Sequence, residues 1–576
     1  MNDSRVNGYI GMRRQPYFIN KAIAYYLTAS ILSSVVVQLN TLVDGIVVGQ
    51  CVGTDAFSAI NLYTPIALVV TVFFSVFCAG AKLLAARSIG KRDSQKTSRI
   101  MSTAMAAMII LGVIGAVVTV LFHDGIADVV CRESASRGYF IDYLMIMGTC
   151  CIFTISCTYT GFSVDVDGRP RLSLLAHVVS AATNIGLDIL LVGVLDLGVK
   201  GAAWASIAAS CVSCIVCGTH YFSKRCSYWL RPVSLFSFKS LGNNVKYGIP
   251  LAVGSLVTVF VVFSLNTIIQ KWQGADGLFA MSVCINMITI AVMLTGGLGS
   301  MVQTIGGFLK GRKDATGLRM LVGHCLFLLC VFTAFFVLAV WSFPGTFARL
   351  FGADTPRLIG YTSTSLRWFG CVFPGFLFCT FMVYVYLMSG RKVLASVTIL
   401  IFLAMVVPFM QIWAVATGDA RLWHSFLASS VASILVVIII AEIIRYREKG
   451  LTHVTLIPLR QRYLLDISVR SNQCSVGEAV AELRASLIPV ISDENKVSGI
   501  CSQVRDILLS VVQQGYDGGG KHFIDLSAMT KDDCLNISIC HAGRQEDCIP
   551  DSNGYSPEIE RRHMFGQNMI DLTWPD

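Results

Sequence analysis

Up to about residue 445 the chain alternates long apolar runs with short polar connections, and beyond it the pattern becomes that of an ordinary soluble protein. The runs lie near residues 22–48, 56–86, 98–121, 139–164, 172–194, 202–222, 247–270, 277–308, 318–342, 361–388, 394–414 and 424–444. Each is about 20 residues or longer, enough to cross a hydrocarbon core of ~30 Å. Backbone polar groups inside a bilayer must pair within their own segment, so the runs are expected to be helices. Barrel strands would be shorter and would alternate in polarity. The first run begins about twenty residues in and is too long for a cleaved signal sequence, so it reads as a true span. The pattern predicts an all-α membrane protein of twelve transmembrane helices with a small α+β domain after them. The expected divisions are a six-helix half (1–222), a linker (223–246), a second six-helix half (247–446) and a soluble domain (460–576).

Composition supports this partition. Hydrophobic residues make up 54% of the 576 positions and charged residues only 14%, where soluble proteins average about a quarter charged. With the N-terminus taken as cytoplasmic, the inner connections carry 27 Lys and Arg and the outer ones 7, so the positive-inside rule places both termini in the cytoplasm. The net charge of +10 is largely this bias. No basic stretch interleaved with aromatics points to nucleic acid. Twenty cysteines are present, most densely as Cys211, Cys214 and Cys217, followed by His220. Zinc knuckles sit on turns rather than within a continuous span, so these thiols are read as small packing residues. No metal site and no disulfide is expected.

The chain repeats itself. A shift of 221 residues carries Gly53-Thr54-Asp55 onto Gly274-Ala275-Asp276, and Gly90-Lys91-Arg92-Asp93 onto Gly311-Arg312-Lys313-Asp314. One residue more carries Gly138-Tyr139 and Gly148 onto Gly360-Tyr361 and Gly370, and Gly168-Arg169 onto Gly390-Arg391. Six spans per repeat make the halves parallel, related by an axis along the membrane normal. Carriers that rock one half against the other are built this way.

Ionisable groups at membrane depth are costly and point to function. Asp44 and Asp188 lie well inside spans 1 and 5, while Asp142 and Glu442 sit near helix ends. Both of those spans run outward, which places Asp44 and Asp188 at similar depth on the outer side of the N-terminal half. Asn184 is one helical turn inward of Asp188 and shares its face. Two carboxylates with a neutral amide, away from bulk water, suit a proton or a small hard cation. The structural alternative is that Asp44 tethers the end of span 1 and Asp188 bonds to a neighbouring helix. Lys82 also lies within a span, five residues before Arg87, and is expected to snorkel to the inner boundary. Pro65, Pro374, Pro408 and the run Thr295-Gly296-Gly297-Leu298-Gly299 would soften spans 2, 8, 10 and 11.

At these residues the chain resembles the multidrug and toxic compound extrusion (MATE) family. The features that carry the likeness are Leu42-Val43-Asp44 with Gly49, Gly53, Ala59 and Pro65, then Gly168-Arg169-Pro170, and Asn184 to Asp188 with Gly198 and Gly201-Ala202-Ala203. The likeness covers about residues 15–445. It implies export of organic, often cationic or amphipathic compounds driven by inward movement of protons or sodium, with no other cofactor. In one branch of the family the coupling residues on helices 1 and 5 match Asp44, Asn184 and Asp188. Another branch places acids on helices 7 and 10; here span 7 offers only Asn266 and Gln270, and span 10 has no carboxylate. Span 1 also lacks an internal proline.

After Arg462 the expected order is strand (463–470), helix (475–490), helix (495–515), strands (521–528 and 533–541), and a short helix near 563–572. This order resembles the histidine-kinase-type ATPase fold of anti-sigma-factor kinases. Asp506, Ser510 and Gln514 match its helix of Glu, Asn and His, while Cys540-His541-Ala542-Gly543 and Gly566 match its later glycine motifs. At the positions that would bind metal, act as base and contact adenine stand Ser510, Asp506 and His541. The chain also stops before that family's usual final strand. A non-catalytic domain that regulates or binds a cytoplasmic protein partner is therefore expected.

The leading expectation is a secondary-active antiporter for small molecules, set in the plasma (inner) membrane of a bacterium. A lipid-linked oligosaccharide flippase would want a cationic cavity, and apart from Lys82 and Arg367 the spans offer few cations. A polytopic sensor kinase would want a phosphoacceptor helix and an intact nucleotide site. No nucleophile–base or metal constellation supports an enzyme.

Overall fold

The computed structural model describes residues 14–52, 59–60, 62–130, 137–223, 226–351, 353, 355–417, 419–459, 463–516, 522–531, 534–544 and 557–574. The chain forms two compact units, Leu27–Leu459 and a second made of Met1–Tyr26 with Arg460–Asp576.

In the larger unit, helices long and apolar enough to span a bilayer are Val69–Gly90, Ser94–Asp128, Pro170–Val194, Gly198–Phe222, Phe238–Gly274, Asp276–Gly311, Ala315–Ser342, Lys392–Thr417 and Arg421–Arg447. Another, Tyr17–Val37, starts in the smaller unit and continues as helix to Cys51. Two bent pairs, Arg137–Thr149 with Cys151–Val166 and Pro356–Gly370 with Phe373–Ser389, bring the described spans to as many as twelve. These pairs are spans 4 and 10 of the repeat, broken by 57° and 41° at corresponding places. Asp276–Gly311 is span 8 and Pro170–Val194 is span 5.

The duplication read in the sequence recurs in the backbone. Arg92 and Lys313, equivalent under the 221-residue shift, both turn left-handed at φ 63° and 61°. Their neighbours Asp93 and Asp314 each accept from the amide three residues on, at 2.8 Å from Lys96 and 2.7 Å from Gly317, which caps the next helix. Gly168 and Gly390, equivalent one residue later, end spans 4 and 10 at φ 75° and 87°. The Gly53 landmark lies outside the described residues.

The C-terminal domain is built on a five-stranded antiparallel sheet in the order β1-β2-β3-β5-β4, with β1 Leu465–Arg470, β2 Phe523–Lys531, β3 Cys534–His541, β4 Glu558–Met564 and β5 Gln567–Trp574. Helices α1 (Gln473–Leu487) and α2 (Glu494–Ser510) follow β1, capped by Asn472 and Asp493. One core joins alternate strand residues such as Val469, Leu526, Ile537 and Leu572 to Leu483 and Val504 of the helices. The short helix expected near 563–572 is instead the β4–β5 hairpin. Phe565 and Gly566 both take positive φ, 55° and 72°, as a two-residue turn matched to strand twist requires. Ile570, Leu572 and Trp574 alternate into the core; strict alternation is strand periodicity and outweighs the polar run before it. His541 is buried, and burial beside His563 pushes its imidazole down to about 4. At neutral pH it carries no charge.

Candidate functional site

Asp188 closes the α-helical part of span 5, Pro170–Asp188, and the chain continues as a π-helical segment, Ile189–Val194. Such segments are rare and frequent at functional sites. The carboxyl is fully buried, and Asn184, one turn back on the same face, is 1% exposed. Neither the oxygen nor the nitrogen of the Asn184 amide has a hydrogen-bond partner among the described residues. A buried amide left unmatched costs about 1–3 kcal/mol, so this polar spot is poised for a ligand. The backbone of Asp44 is helical, but its side chain lies outside the described residues. Neighbours still report where its helix runs. Val47, one turn beyond Asp44, packs on an apolar cluster that contains Val192, one turn beyond Asp188. Cys51 and Val52 also approach Gly193, in the π-helical segment, and Gly198, which opens the next helix. The C-terminal parts of spans 1 and 5 are thus neighbours.

The remaining acids have ordinary explanations. Asp142 pairs with Lys200 at 3.3 Å, both well exposed, and Glu442 pairs with Arg445 and His453 at 3.0 and 3.1 Å. Exposed pairs of this kind contribute about 0–1 kcal/mol. His220, which follows the cysteine cluster, is held by Asp167, whose Oδ2 lies 2.7 Å from Nε2 and accepts the Ser227 amide at 3.0 Å. Cys226 completes a trio with ligand atoms within 4.8 Å of one another. Burial pushes its thiol up to about 11, so it stays protonated and donates to the Tyr228 carbonyl at 2.9 Å. Those bonds account for the trio as a structural joint between span 4 and the linker.

At the end of the bundle that bears Lys91, Arg92, Arg312 and Lys313, the two halves are sealed together. Gly90 and Gly311, equivalent under the repeat, face each other so closely that a methyl on Gly311 would sit 2.2 Å from the Arg87 carbonyl oxygen and 3.0 Å from the Gly90 Cα. Gly80 and Gly248 make similar approaches between Val69–Gly90 and Phe238–Gly274. Arg87 reaches across to the carbonyls of Leu387 and Met388 at 3.0 and 2.6 Å, at the negative end of the helix Phe373–Ser389.

Lys82 departs from expectation. It does not snorkel: it is 5% exposed, donates to Ser300 of the second half at 2.5 Å, and lies 3.9 Å from Asp165 and 5.6 Å from the Phe162 ring centre. Its face of span 2 is packed against the other half, so the ammonium finds partners inside rather than at the boundary. Replacing Lys82 by Met is expected to lower stability by about 1–3 kcal/mol, because Asp165 then loses its cation. Adding Asp165→Asn should recover more than half of this, read as the thermal denaturation midpoint in detergent.

Sequence reasoning missed one further polar group in the second half. Tyr361 and Trp423 both donate to the Gln273 Oε1, the indole at 2.9 Å. Nearby in the same half, Trp368 stacks on His424 at 3.7 Å and, with Trp413, Leu427 and Val431, lines an apolar cleft of about 490 Å³. The pairing of Gln273 with residues 88 and 150 positions away in the chain carries no local signal.

Comparison with known proteins bears on the whole membrane unit. The MatE family profile matches residues 29–190 and 250–413, one match in each half. The multidrug export protein MepA of Staphylococcus aureus (strain MSSA476) is 22% identical over 443 residues, which cover 74% of this chain and 94% of the relative. MepA of Staphylococcus haemolyticus is 27% identical over 195 residues, covering 34% of this chain and 43% of that protein. Among solved structures, the outward-facing conformation of a multidrug resistance MATE family transporter of the MOP superfamily superposes with a TM-score of 0.66 at 19% identity, covering 72% of this chain and 93% of the other. A MOP superfamily transporter from Pyrococcus furiosus, whose binding pocket is described as of reverse polarity and of different function, gives a TM-score of 0.65 at 20% identity, covering 72% and 93%.

Proposed function

Because the chain belongs to the MatE family of membrane transporters, we propose that it is a secondary-active antiporter that exports drug-like, often cationic organic compounds in exchange for protons or sodium ions. The coupling site is Asp44, Asn184 and Asp188. The observation that carries this assignment is the fully buried Asp188, one turn from an Asn184 amide without a partner among the described residues, on a span whose later part neighbours that of the helix bearing Asp44. A carboxylate there can take up a proton or balance a bound cation, so ion binding and release change the charge at the site by one. That change would bias the N-terminal half between its two states, with loading favouring release of the drug outward.

In this reading the end sealed by Gly90 and Gly311 faces the cytoplasm, since it carries the excess of Lys and Arg. The protein is a multi-pass membrane protein, set in the bacterial inner membrane with both termini inside. The name of the staphylococcal relatives, multidrug export protein, supports the substrate class, as do the aromatic faces of Trp368 and Trp413, which attract organic cations. A lipid-linked oligosaccharide flippase is the alternative, and Lys82, the one buried Lys or Arg among the described residues and already held by Ser300, gives it little support.

A susceptibility panel of cationic dyes and drugs, run in an efflux-deficient bacterial host with and without sodium, tests the reading. Expression should raise resistance at least fourfold to several chemically unrelated cations, and dependence on sodium identifies the ion. No change for any compound in cells with verified membrane insertion contradicts it.

A further inference from the structure

The soluble domain has two sheet faces, and only one is covered by its own helices. On the other face lie Ser468 of β1, Asp525 of β2, and Gln567 and Asp571 of β5, polar residues that are nevertheless 3–6% exposed. Part of what covers them belongs to the same compact unit: the chain's N-terminal segment, of which residues 14–26 are described. Arg14 sits between two carboxylates, with Nη1 3.4 Å from Asp466 and Nε 3.5 Å from Asp525. The three side chains are only 8–14% exposed, so these ion pairs are far better shielded than surface ones. The Gln15 amide donates to the Ser468 hydroxyl at 2.8 Å, and that hydroxyl in turn bonds to Asp525. Gln567 donates to the Phe18 carbonyl at 2.6 Å. Tyr17 packs on Phe523 at 5.8 Å and Tyr26 on Phe565 at 6.5 Å between ring centres.

The segment is built for this. Phe18, Ile19, Ala22, Ile23 and Tyr26 recur at helical spacing and are all buried, while Arg14 supplies the charge complementary to the acids of the sheet. It is also the start of the helix that runs on to Cys51 and carries Asp44. A helix apolar enough for the membrane therefore has its first ten residues in the soluble unit.

We propose that the polar face of the C-terminal sheet is a docking surface whose occupant is this chain's own basic and aromatic N-terminal segment, and that by gripping it the soluble domain restrains the first turns of the helix that carries Asp44. The proposal goes beyond the transport assignment, and its first test does not depend on transport. A specific protease site placed after Leu459 in the full chain allows the domain to be cut free in native membranes. After cutting and washing, the wild-type domain should stay with the membranes. Arg14→Glu and Asp466→Lys should each release at least five times more of it, and the combined charge swap should restore retention. Release of the wild-type domain on cutting, or retention in both single variants, overturns the docking surface. Exchange of tagged domains between co-expressed chains would show that a second copy supplies the segment, which contradicts self-docking. For the restraint, dye efflux in the uncut Arg14→Glu protein should change at least twofold and return in the charge swap. An unchanged rate with a released domain overturns it.

Discussion

Asp188→Asn is expected to abolish dye efflux from energised vesicles, by more than about tenfold or ~1.4 kcal/mol of lost coupling, while leaving membrane insertion intact. Asparagine keeps the size and hydrogen-bonding capacity of the side chain but cannot exchange a proton or balance a cation. Insertion should if anything improve, since a neutral amide costs less than a carboxyl in a buried position. The surroundings make the ionisable group matter: Asp188 is fully buried at the junction of α- and π-helical backbone, and the Asn184 amide beside it has no partner among the described residues. Asp44→Asn should give the same loss. Asn184→Ala should weaken coupling less, because it removes two neutral ligand atoms and no charge. Quantified efflux, with surface-checked expression, reads all three.

The second large effect is expected at the seal between the halves. Gly311→Val and Gly90→Val each place a Cβ 2.2 Å from a carbonyl oxygen of the opposing helix, Arg87 in one case and Phe308 in the other. The obstacle is backbone and cannot swing aside, so the helices must separate. Overpacking of this kind costs about 1–3 kcal/mol, which shifts a balanced two-state carrier by one to two orders of magnitude. A cysteine at Ser88, buried at this end, should then react with a water-soluble maleimide several times faster, and efflux should fall. Gly323→Ala is the control, since a methyl there meets nothing within 4 Å.

Much of this was legible in the sequence. Twelve apolar runs locate the spans because a bilayer imposes one length and one backbone pairing on every crossing. The 221-residue shift picks out Gly90 and Gly311, which face each other because only glycine allows so close an approach, and it pairs Arg92 with Lys313, which share a left-handed backbone. The break at 371–372 falls just before Pro374, the proline that marks span 10 as soft, whereas the break at residue 150 left no such mark, because Thr149-Cys150 contains neither proline nor glycine. Lys82 was misread for a physical reason. Snorkelling is inferred from distance to a boundary, whereas its partner Ser300 lies 218 positions away. The β4–β5 hairpin hid behind the charged run Glu558 to His563, whose strand character comes from pairing with β5. At the candidate site, sequence supplied the residues and the shared face of Asn184 and Asp188. The Asn184 amide, without a partner among the described residues, and the π segment come only with the fold.

The central claim is that ion exchange at Asp188 drives export. Its most direct test is a counterflow measurement in liposomes that contain the purified full chain. An outward gradient of a transported dye should drive protons or sodium uphill into the vesicles, detected with a pH- or sodium-sensitive fluorophore, and Asp188→Asn should abolish this movement while the protein stays folded. Undiminished ion counterflow in the Asp188→Asn protein would contradict the account.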